Sequence, residues 1–495
     1  MKPVKSLARA NAPSSAFGTF SPAEKRGGEG SRRSKPPRLP SLHPWDRLSS
    51  AIPNAVSTPW LEPMLARNAE TAYLRKHGSP LTMKAFREQI PVISYEDLTP
   101  WIDRIRSGER DVLFAGSPVA FERTGGSTGA AKLIPYSEDG LHDFQRAVVP
   151  WLKALVETHG ITGRAYFSIS PATRPPESIG GIPVGLPDGA YLGAAGAAVL
   201  EQVTAVPFAV AAITDVARWR TETSRHLAAA RDLELIAVWS PTFLLALLDG
   251  IGDPRALWPR LKVVSCWAAA ASKPFADSLA ARLPHAHLQP KGLLSTETVV
   301  TIPDRDDRPV LTEHGFFEFE QDGQLHLQNE LTNGSVYEVV ATTASGLYRY
   351  RTGDLVRYEG QSDSGRPILE FVGRGNAVSD LVGEKLTEPF VASCLATVPG
   401  FRLLVPARAS NGYVLMTEAG APVSIEAIER RLCDNPQYAY ARRIGQLEAL
   451  RLMPIQRLYD RYARAQTEEG VRLGDVKPAA LRNERAWVTR LGEQA

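Results

Sequence analysis

From about Trp45 to residue 375, short branched-apolar runs alternate with longer stretches of amphipathic spacing. LELIAVWS (233 to 240), LKVVSCWAA (261 to 269), TVVTIP (298 to 303) and the hairpin-like FFEFEQDGQLHLQN (316 to 329) read as strands. TDVARWRTETSRHLAAARD, ahead of the first of these, reads as helix. Leu48, Ile52, Leu61, Met64 and Leu65 also keep helical spacing, interrupted by prolines. The alternation predicts an α/β chain with mixed sheets. No repeat of 20 to 50 residues is visible.

The richest apolar tract, GAYLGAAGAAVLEQVTAVPFAVAAIT, is broken by Glu201, Gln202 and Pro207. It therefore falls short of the roughly 18 uninterrupted residues a membrane span needs and reads as buried strand and helix. At 495 residues, 43% hydrophobic and 22% charged, the chain is long enough for two or three globular domains and is expected to be soluble. Three scattered cysteines, Cys266, Cys394 and Cys433, form no CxxC pair, which argues against structural zinc and a disulfide framework and fits a reducing cytoplasm.

Charge is unevenly placed. Residues 1 to 38 hold nine Lys or Arg against Glu24 and Glu29, a local excess of +7 in a chain of net +3. With few large apolar residues, residues 1–42 are expected to be a disordered, solvated basic tail; Arg and Ser near the start fit a transit peptide, but no amphipathic stripe accompanies them. The body is slightly acidic, so nucleic-acid binding is not expected.

The sequence FERTGGSTGAAKLIPYS holds the first chemical signal. A strand enters the loop Thr124, Gly125, Gly126, Ser127, Thr128 and Gly129, and Lys132 follows. Glycines let backbone N–H groups converge, hydroxyls add donors and an ammonium adds a point charge, a combination suited to polyphosphate. A Walker loop would run from its lysine into a helix. Here Leu-Ile-Pro-Tyr intervenes, and a helix begins only after Ser137, with Glu138 and Asp139 in its first turn. Alone, such a run is more often a plain turn.

GLYRYRTGDLVRYEG, residues 346 to 360, is the second signal. Leu347, Arg349 and Arg351 alternate with Tyr348 and Tyr350 as in a strand, Thr352-Gly353-Asp354 reads as a turn, and a strand resumes. Asp354 can cap its own backbone or accept two hydrogen bonds from a ribose diol. No Ser/His/Asp triad, GxSxG or HExxH is present.

Together, TGGSTGAAK followed by YRTGD resembles the ordered signature of the adenylate-forming superfamily, which includes acyl-CoA synthetases, peptide synthetase adenylation domains and luciferases. The resemblance runs from about Trp45 to the end. Ser295-Thr296-Glu297 is similar to its Tyr-Gly-x-Thr-Glu stretch, with Leu293 in place of the aromatic residue, and Gly373-Arg374-Gly375-Asn376 to its Gly-Arg-x-Asp hinge, with Asn376 where Asp is common. Within it, FFEFE, GLYRYRTGDLV, VSDLVGEKL and RLGDVKPAAL resemble the auxin-responsive-promoter family of acyl acid amido synthetases.

The resemblance implies a two-domain fold, with a large mixed-sheet N-terminal domain (43–375) and a small mobile α/β domain (376–495). Members activate a carboxylic acid with ATP to an acyl-adenylate, then transfer the acyl group to an amine, usually an amino acid. It implies nucleotide contacts from Thr124, Gly125, Gly126, Ser127, Thr128, Gly129, Lys132, Thr296, Glu297, Asp354 and Arg374. Glu297 would hold Mg²⁺, Lys477 would reach the adenylate, and Lys385 would contact phosphate or site. Trp239 and Phe243 would line the acid pocket, although core aromatics are an equal reading. ATP and Mg²⁺ are the expected cofactors, acid and amine the expected partners, with no membrane and a monomer. An acyl-CoA ligase and a non-catalytic nucleotide binder remain as alternatives.

Overall fold

The computed structural model describes residues 43–51, 59–124, 132–168, 177–186, 188–375 and 377–492. The basic tail, loop residues Gly125, Gly126, Ser127, Thr128 and Gly129, and Asn376 lie outside these. From His43 onward the chain forms one compact unit.

A parallel sheet carries one wall of the site. Strands Arg164–Phe167, Leu233–Ala237, Val263–Cys266 and His287–Pro290 lie side by side in that order. Every residue of Leu233–Ala237 and Val263–Cys266 is buried, as in strands covered on both faces. Helices Pro241–Leu248 and Lys273–Arg282 lie in the crossovers between successive strands. All the carboxyl ends therefore open on the same side, where the chain emerges at Trp239, Trp267 and Lys291.

An antiparallel sheet of seven strands supplies the opposing wall; at its centre Val336–Thr342, Tyr350–Gln361 and Pro367–Arg374 pair in sequence. The anticipated hairpin is present as Phe316–Gln321 and Gln324–His326. Asp322 and Gly323, at φ +52° and +77°, make the two-residue connection that such a twist favours. In a smaller sheet, Ala120–Arg123 pairs antiparallel with Leu133–Tyr136, setting Thr124 and Lys132 at the two ends of the glycine-rich loop. The helix Glu138–Thr158 follows, its first turn capped by the Ser137 hydroxyl accepting from the Gly140 amide at 2.9 Å.

Beyond residue 376, strands Arg402–Pro406, Tyr413–Glu418 and Arg451–Ile455 form a third sheet against helix Leu458–Glu468. Phe275, from the preceding region, inserts into that core and meets Phe401 at 6.3 Å between ring centroids.

Three expectations are corrected. Thr352-Gly353-Asp354 is no turn: Tyr350–Gln361 is a single strand, in which Gly353 takes φ +78° and register shifts occur on both neighbouring ladders. Glycine here bends the strand without ending its pairing. Residues 347–349 are not an alternating strand either, because Leu347, Tyr348 and Arg349 are all buried and Arg349 stands at φ +50°. Its guanidinium forms a buried ion pair with Glu318, at 2.7 and 2.9 Å, and also donates to the Arg87 and Ile90 carbonyls. Finally, the apolar tract is helical throughout its regular parts: α-helix Gly193–Val203 and short 3-10 turns at Asp188–Leu192 and Phe208–Ala212. Its small residues suit close helix packing, and of 298–303 only Thr301–Pro303 is strand.

Candidate active site

The two motifs meet through Lys132 and Tyr350. The Lys132 ammonium donates to the Tyr350 hydroxyl at 2.9 Å and lies over the rings of Tyr95 and Tyr350, at 5.3 and 5.6 Å. The backbones are also tied, because Ser137 donates from its amide to Ser345 Oγ at 3.1 Å and from its hydroxyl to the Ala344 carbonyl at 2.9 Å. A lysine of the glycine-rich loop is thus fixed beside the strand that bears Asp354. Thr124 is buried at the other end of the loop, its amide donating to the Lys132 carbonyl at 2.9 Å.

Asp354 and Arg374 face each other in register on adjacent strands. Arg374 Nε donates to Asp354 Oδ1 at 3.1 Å, and Asp354 is only 2% exposed. Oδ2 has no hydrogen-bond donor among the described residues. The Asp354 carboxylate, supported by Glu297 and Glu388, pushes the Arg374 pKa above its ordinary value against the opposing loss of hydration. Thr296 contributes its carbonyl to the Tyr136 hydroxyl at 2.5 Å, which pins the loop bearing Glu297. Glu297 lines a cavity of about 30 Å³ with Tyr136, Asp143 and His314, and its charge also reaches Tyr350, Arg374 and Lys477.

Lys477 arrives from the C-terminal region. The segment after the 3-10 turn Leu473–Asp475 docks on the third sheet, with the Leu404 amide donating to the Ala480 carbonyl at 2.8 Å. The Lys477 ammonium lies 5.0 Å from the centre of the Trp267 ring. Solvent reaches this side chain because it lines an open cavity, yet protein surrounds it closely enough for loss of hydration to lower its pKa, with Arg374 adding to the effect. Asp354, Glu297 and Asp475 oppose that shift.

A cavity of about 350 Å³ is walled by Arg374 and Lys477, together with Trp267, Ala268, Lys291 and Glu388 among others. That volume suits a small organic ligand. Glu388 accepts from the Ala480 amide at 3.2 Å, and burial raises its pKa.

The remaining expected positions lie elsewhere. Lys385 is exposed at φ +47° on a loop held by Glu384, which accepts from the Leu381 and Val382 amides at 2.8 Å and from the Tyr413 hydroxyl. It lines neither cavity. Phe243 is 4% exposed and packs in the core, 5.7 Å from the Trp219 ring. Trp239 is half-buried at a strand end, 6.1 Å from Trp267. Sequence reading passed over Lys291, whose signal was a lone cation placed directly after a strand and before Gly-Leu-Leu. Gly292 beside it is obligatory, since a Cβ there would sit 2.1 Å from the Thr301 carbonyl oxygen.

Among the described residues no three His, Cys, Asp or Glu side chains form a metal cluster, and no helix is long and apolar enough to cross a membrane. Glu297 is consistent with Mg²⁺ held by one carboxylate and completed by phosphates and water.

The GH3 family N-terminal domain matches residues 48–253, and the GH3 family central domain matches residues 309–374. A probable indole-3-acetic acid-amido synthetase GH3.2 from Oryza sativa subsp. japonica is 39% identical over 92 residues, 18% of this chain and 15% of that protein. Indole-3-acetic acid-amido synthetase GH3.15 from Arabidopsis thaliana is 39% identical over 84 residues, 16% of this chain and 14% of that protein. The matches thus span a small part of these relatives. In fold, the GH3.15 acyl acid amido synthetase in complex with 2,4-DB superposes over 92% of this chain and 97% of its own, at TM-score 0.75 and 17% identity. A 2-hydroxyisobutyryl-CoA ligase with 2-HIB-AMP covers 94% and 97%, at TM-score 0.54 and 12% identity. The fold is that of the two-domain adenylate-forming enzymes, and the chain belongs to the GH3 family.

Proposed function

We propose that this protein is an ATP-dependent acyl acid amido synthetase. The observation that carries the reading is the Asp354–Arg374 pair beside the Lys132–Tyr350 contact, with Arg374 and Lys477 lining one cavity and the Glu297 charge reaching both. A carboxylate attacking the α-phosphorus of ATP brings two anions together, so positioning and charge neutralisation dominate catalysis. One cation close to a transferring oxygen contributes on the order of 4 kcal/mol at an effective dielectric near 20.

In this reading Asp354 holds the ribose diol through the oxygen that Arg374 leaves open. Arg374 serves ribose or phosphate, and Thr124 to Gly129 with Lys132 cradle phosphate. Lys477 lies against the reacting carboxylate and α-phosphate. Thr296 and Glu297 flank the phosphates, and Mg²⁺ held at Glu297 supplies further charge neutralisation. The new C(O)–O–P bond forms as pyrophosphate leaves. An amine then attacks the acyl carbon, gives up a proton, and AMP departs with the carboxyl oxygen. No protein nucleophile is required. Residues 376–495 act as a lid, because they supply Lys477 and Glu388 to the cavity that Arg374 and Lys291 line from the preceding region. Lys385 would serve only in a different lid position. A cytoplasmic location and a monomeric state are part of the same proposal.

The test is release of pyrophosphate and AMP from MgATP across a panel of carboxylic acids, each with mixed amino acids and separately with CoA, with products weighed by mass spectrometry. Acid-dependent AMP with an amide mass is expected. A thioester mass would assign an acyl-CoA ligase, and ATP binding without acid-dependent turnover would assign a non-catalytic binder.

A further inference from the structure

Three parallel strands end side by side, and each delivers a large or charged side chain to the same place. Ala237 leads to Trp239, Cys266 to Trp267 and Pro290 to Lys291. Backbone bonds keep the three in step, with Trp267 N donating to Trp239 O at 2.9 Å and Lys291 N to Cys266 O at 2.8 Å. The space beyond the carboxyl ends of parallel strands is where open α/β sheets bind ligands. Here that space is the 350 Å³ cavity, which Trp267 and Lys291 line.

Lys291 is 9% exposed. Its ammonium stands 4.7 Å from the Trp151 ring centre and 5.0 Å from that of Trp239, and it has no hydrogen bond or ion pair with any described residue. Burying an ammonium without a carboxylate is costly, and two indole faces recover only part of the lost hydration. A purely structural lysine would be expected to have acquired a partner. An ammonium without an acceptor among the described residues, on the strand-end wall of a cavity, describes a place for an anion. Lys477 lies over the Trp267 ring, which packs 6.1 Å from that of Trp239. Ala268, Ala269 and Ala270 leave room along that wall for a ring or chain.

We propose that Lys291 binds a second carboxylate on the acid substrate, remote from the carboxylate that is activated. The preferred acids are therefore dicarboxylic, with one end at Lys477 and the other at Lys291. This rests on the synthetase reading for the role of the cavity, though not for the binding itself.

The test titrates the full chain with matched pairs of mono- and dicarboxylic acids of increasing length, with phenylacetate and 4-carboxyphenylacetate among them. Tryptophan fluorescence reports binding without ATP, and pyrophosphate release is measured on the same pairs. At least one diacid should bind about 10- to 100-fold more tightly than its partner, as a charge-assisted bond implies. Lys291→Met should abolish that preference without weakening the monoacid, and Lys291→Arg should retain most of it. No pair favouring the diacid, or a preference that persists in Lys291→Met, overturns the proposal. A fluorescence preference without pyrophosphate release from any acid upholds Lys291 as an anion site and removes the synthetase reading.

Discussion

Arg374 Nε donates to one oxygen of Asp354 at 3.1 Å, across two strands that hold the residues in register. The pair is pre-set, with one carboxylate oxygen spoken for and the other without a donor among the described residues. Asp354→Asn keeps the shape and removes the charge, so it should lower kcat/KM for ATP by at least tenfold, while the fold survives. Asp354→Ala should add destabilisation by stranding the Arg374 cation, about 3 to 5 kcal/mol for a broken buried pair. Near-normal ATP use in Asp354→Asn, measured by pyrophosphate release, would take Asp354 out of the site.

Lys477 titrates below an ordinary lysine, chiefly because the protein packed around it reduces its hydration. It must be protonated to act as a cation, so the alkaline limb of adenylation should fall at a lower pH than a free lysine would give. Lys477→Ala should depress adenylate formation far more than ATP affinity. Pre-steady-state adenylation alongside equilibrium ATP binding separates the two, and unchanged adenylation would contradict the role.

Burial pushes Lys291 down to about 8, while the neighbouring Cys266 thiol is pushed up to about 12 and stays neutral across the range concerned. Between pH 8 and the ordinary lysine value near 10.5 the unfolded chain binds a proton that the folded chain does not. Stability therefore rises with pH in that window through this group. Relative to Lys291→Met, the wild type should be less stable below pH 8 and should recover towards pH 10.5. Urea midpoints at several pH values read the difference directly, and a constant gap would sink the assignment.

Arg349 reaches Glu318 in the core, and Arg87 joins the same carboxylate at 2.8 Å. Arg349→Met should leave Glu318 with only a half-exposed partner and cost about 3 to 5 kcal/mol. Chemical denaturation measures it, and a loss under 1 kcal/mol would mean that solvent enters this site.

Gly292→Ala would place a methyl 2.1 Å from the Thr301 carbonyl oxygen, so backbone must move. A loss of about 1 to 3 kcal/mol is expected. Because Lys291 is adjacent, diacid binding should weaken as well, and an unaltered urea midpoint would show that the loop shifts freely.

How much of this could be read from residues alone depended on sequence distance. Lys132 and Asp354 each sit in a short run whose composition announces its chemistry. The hairpin at Asp322-Gly323 and the cap at Ser137 are equally local. Lys291 was not legible, because its meaning lies in Trp151, on helix Glu138–Thr158, and Trp239, at the end of a neighbouring strand, both distant in sequence. Gly353 was misread because positive φ serves a bend inside a strand as readily as a turn. The run from Leu347 to Arg351 alternates in composition as a strand would, whereas Arg349 is matched by Glu318 within the core.

The three strand ends at Trp239, Trp267 and Lys291 carry one more consequence. Trp267 and Lys291 meet the cavity, and Trp239 packs beside Trp267, only after the ladder of each strand is complete, so on the proposed reading their replacement alters what is recognised without touching the pairing that holds the sheet. A lineage could therefore exchange one acid for another by single substitutions at these positions. The proposed nucleotide end is woven into the antiparallel strands themselves, where Asp354 and Arg374 are ladder residues, and it would resist such drift.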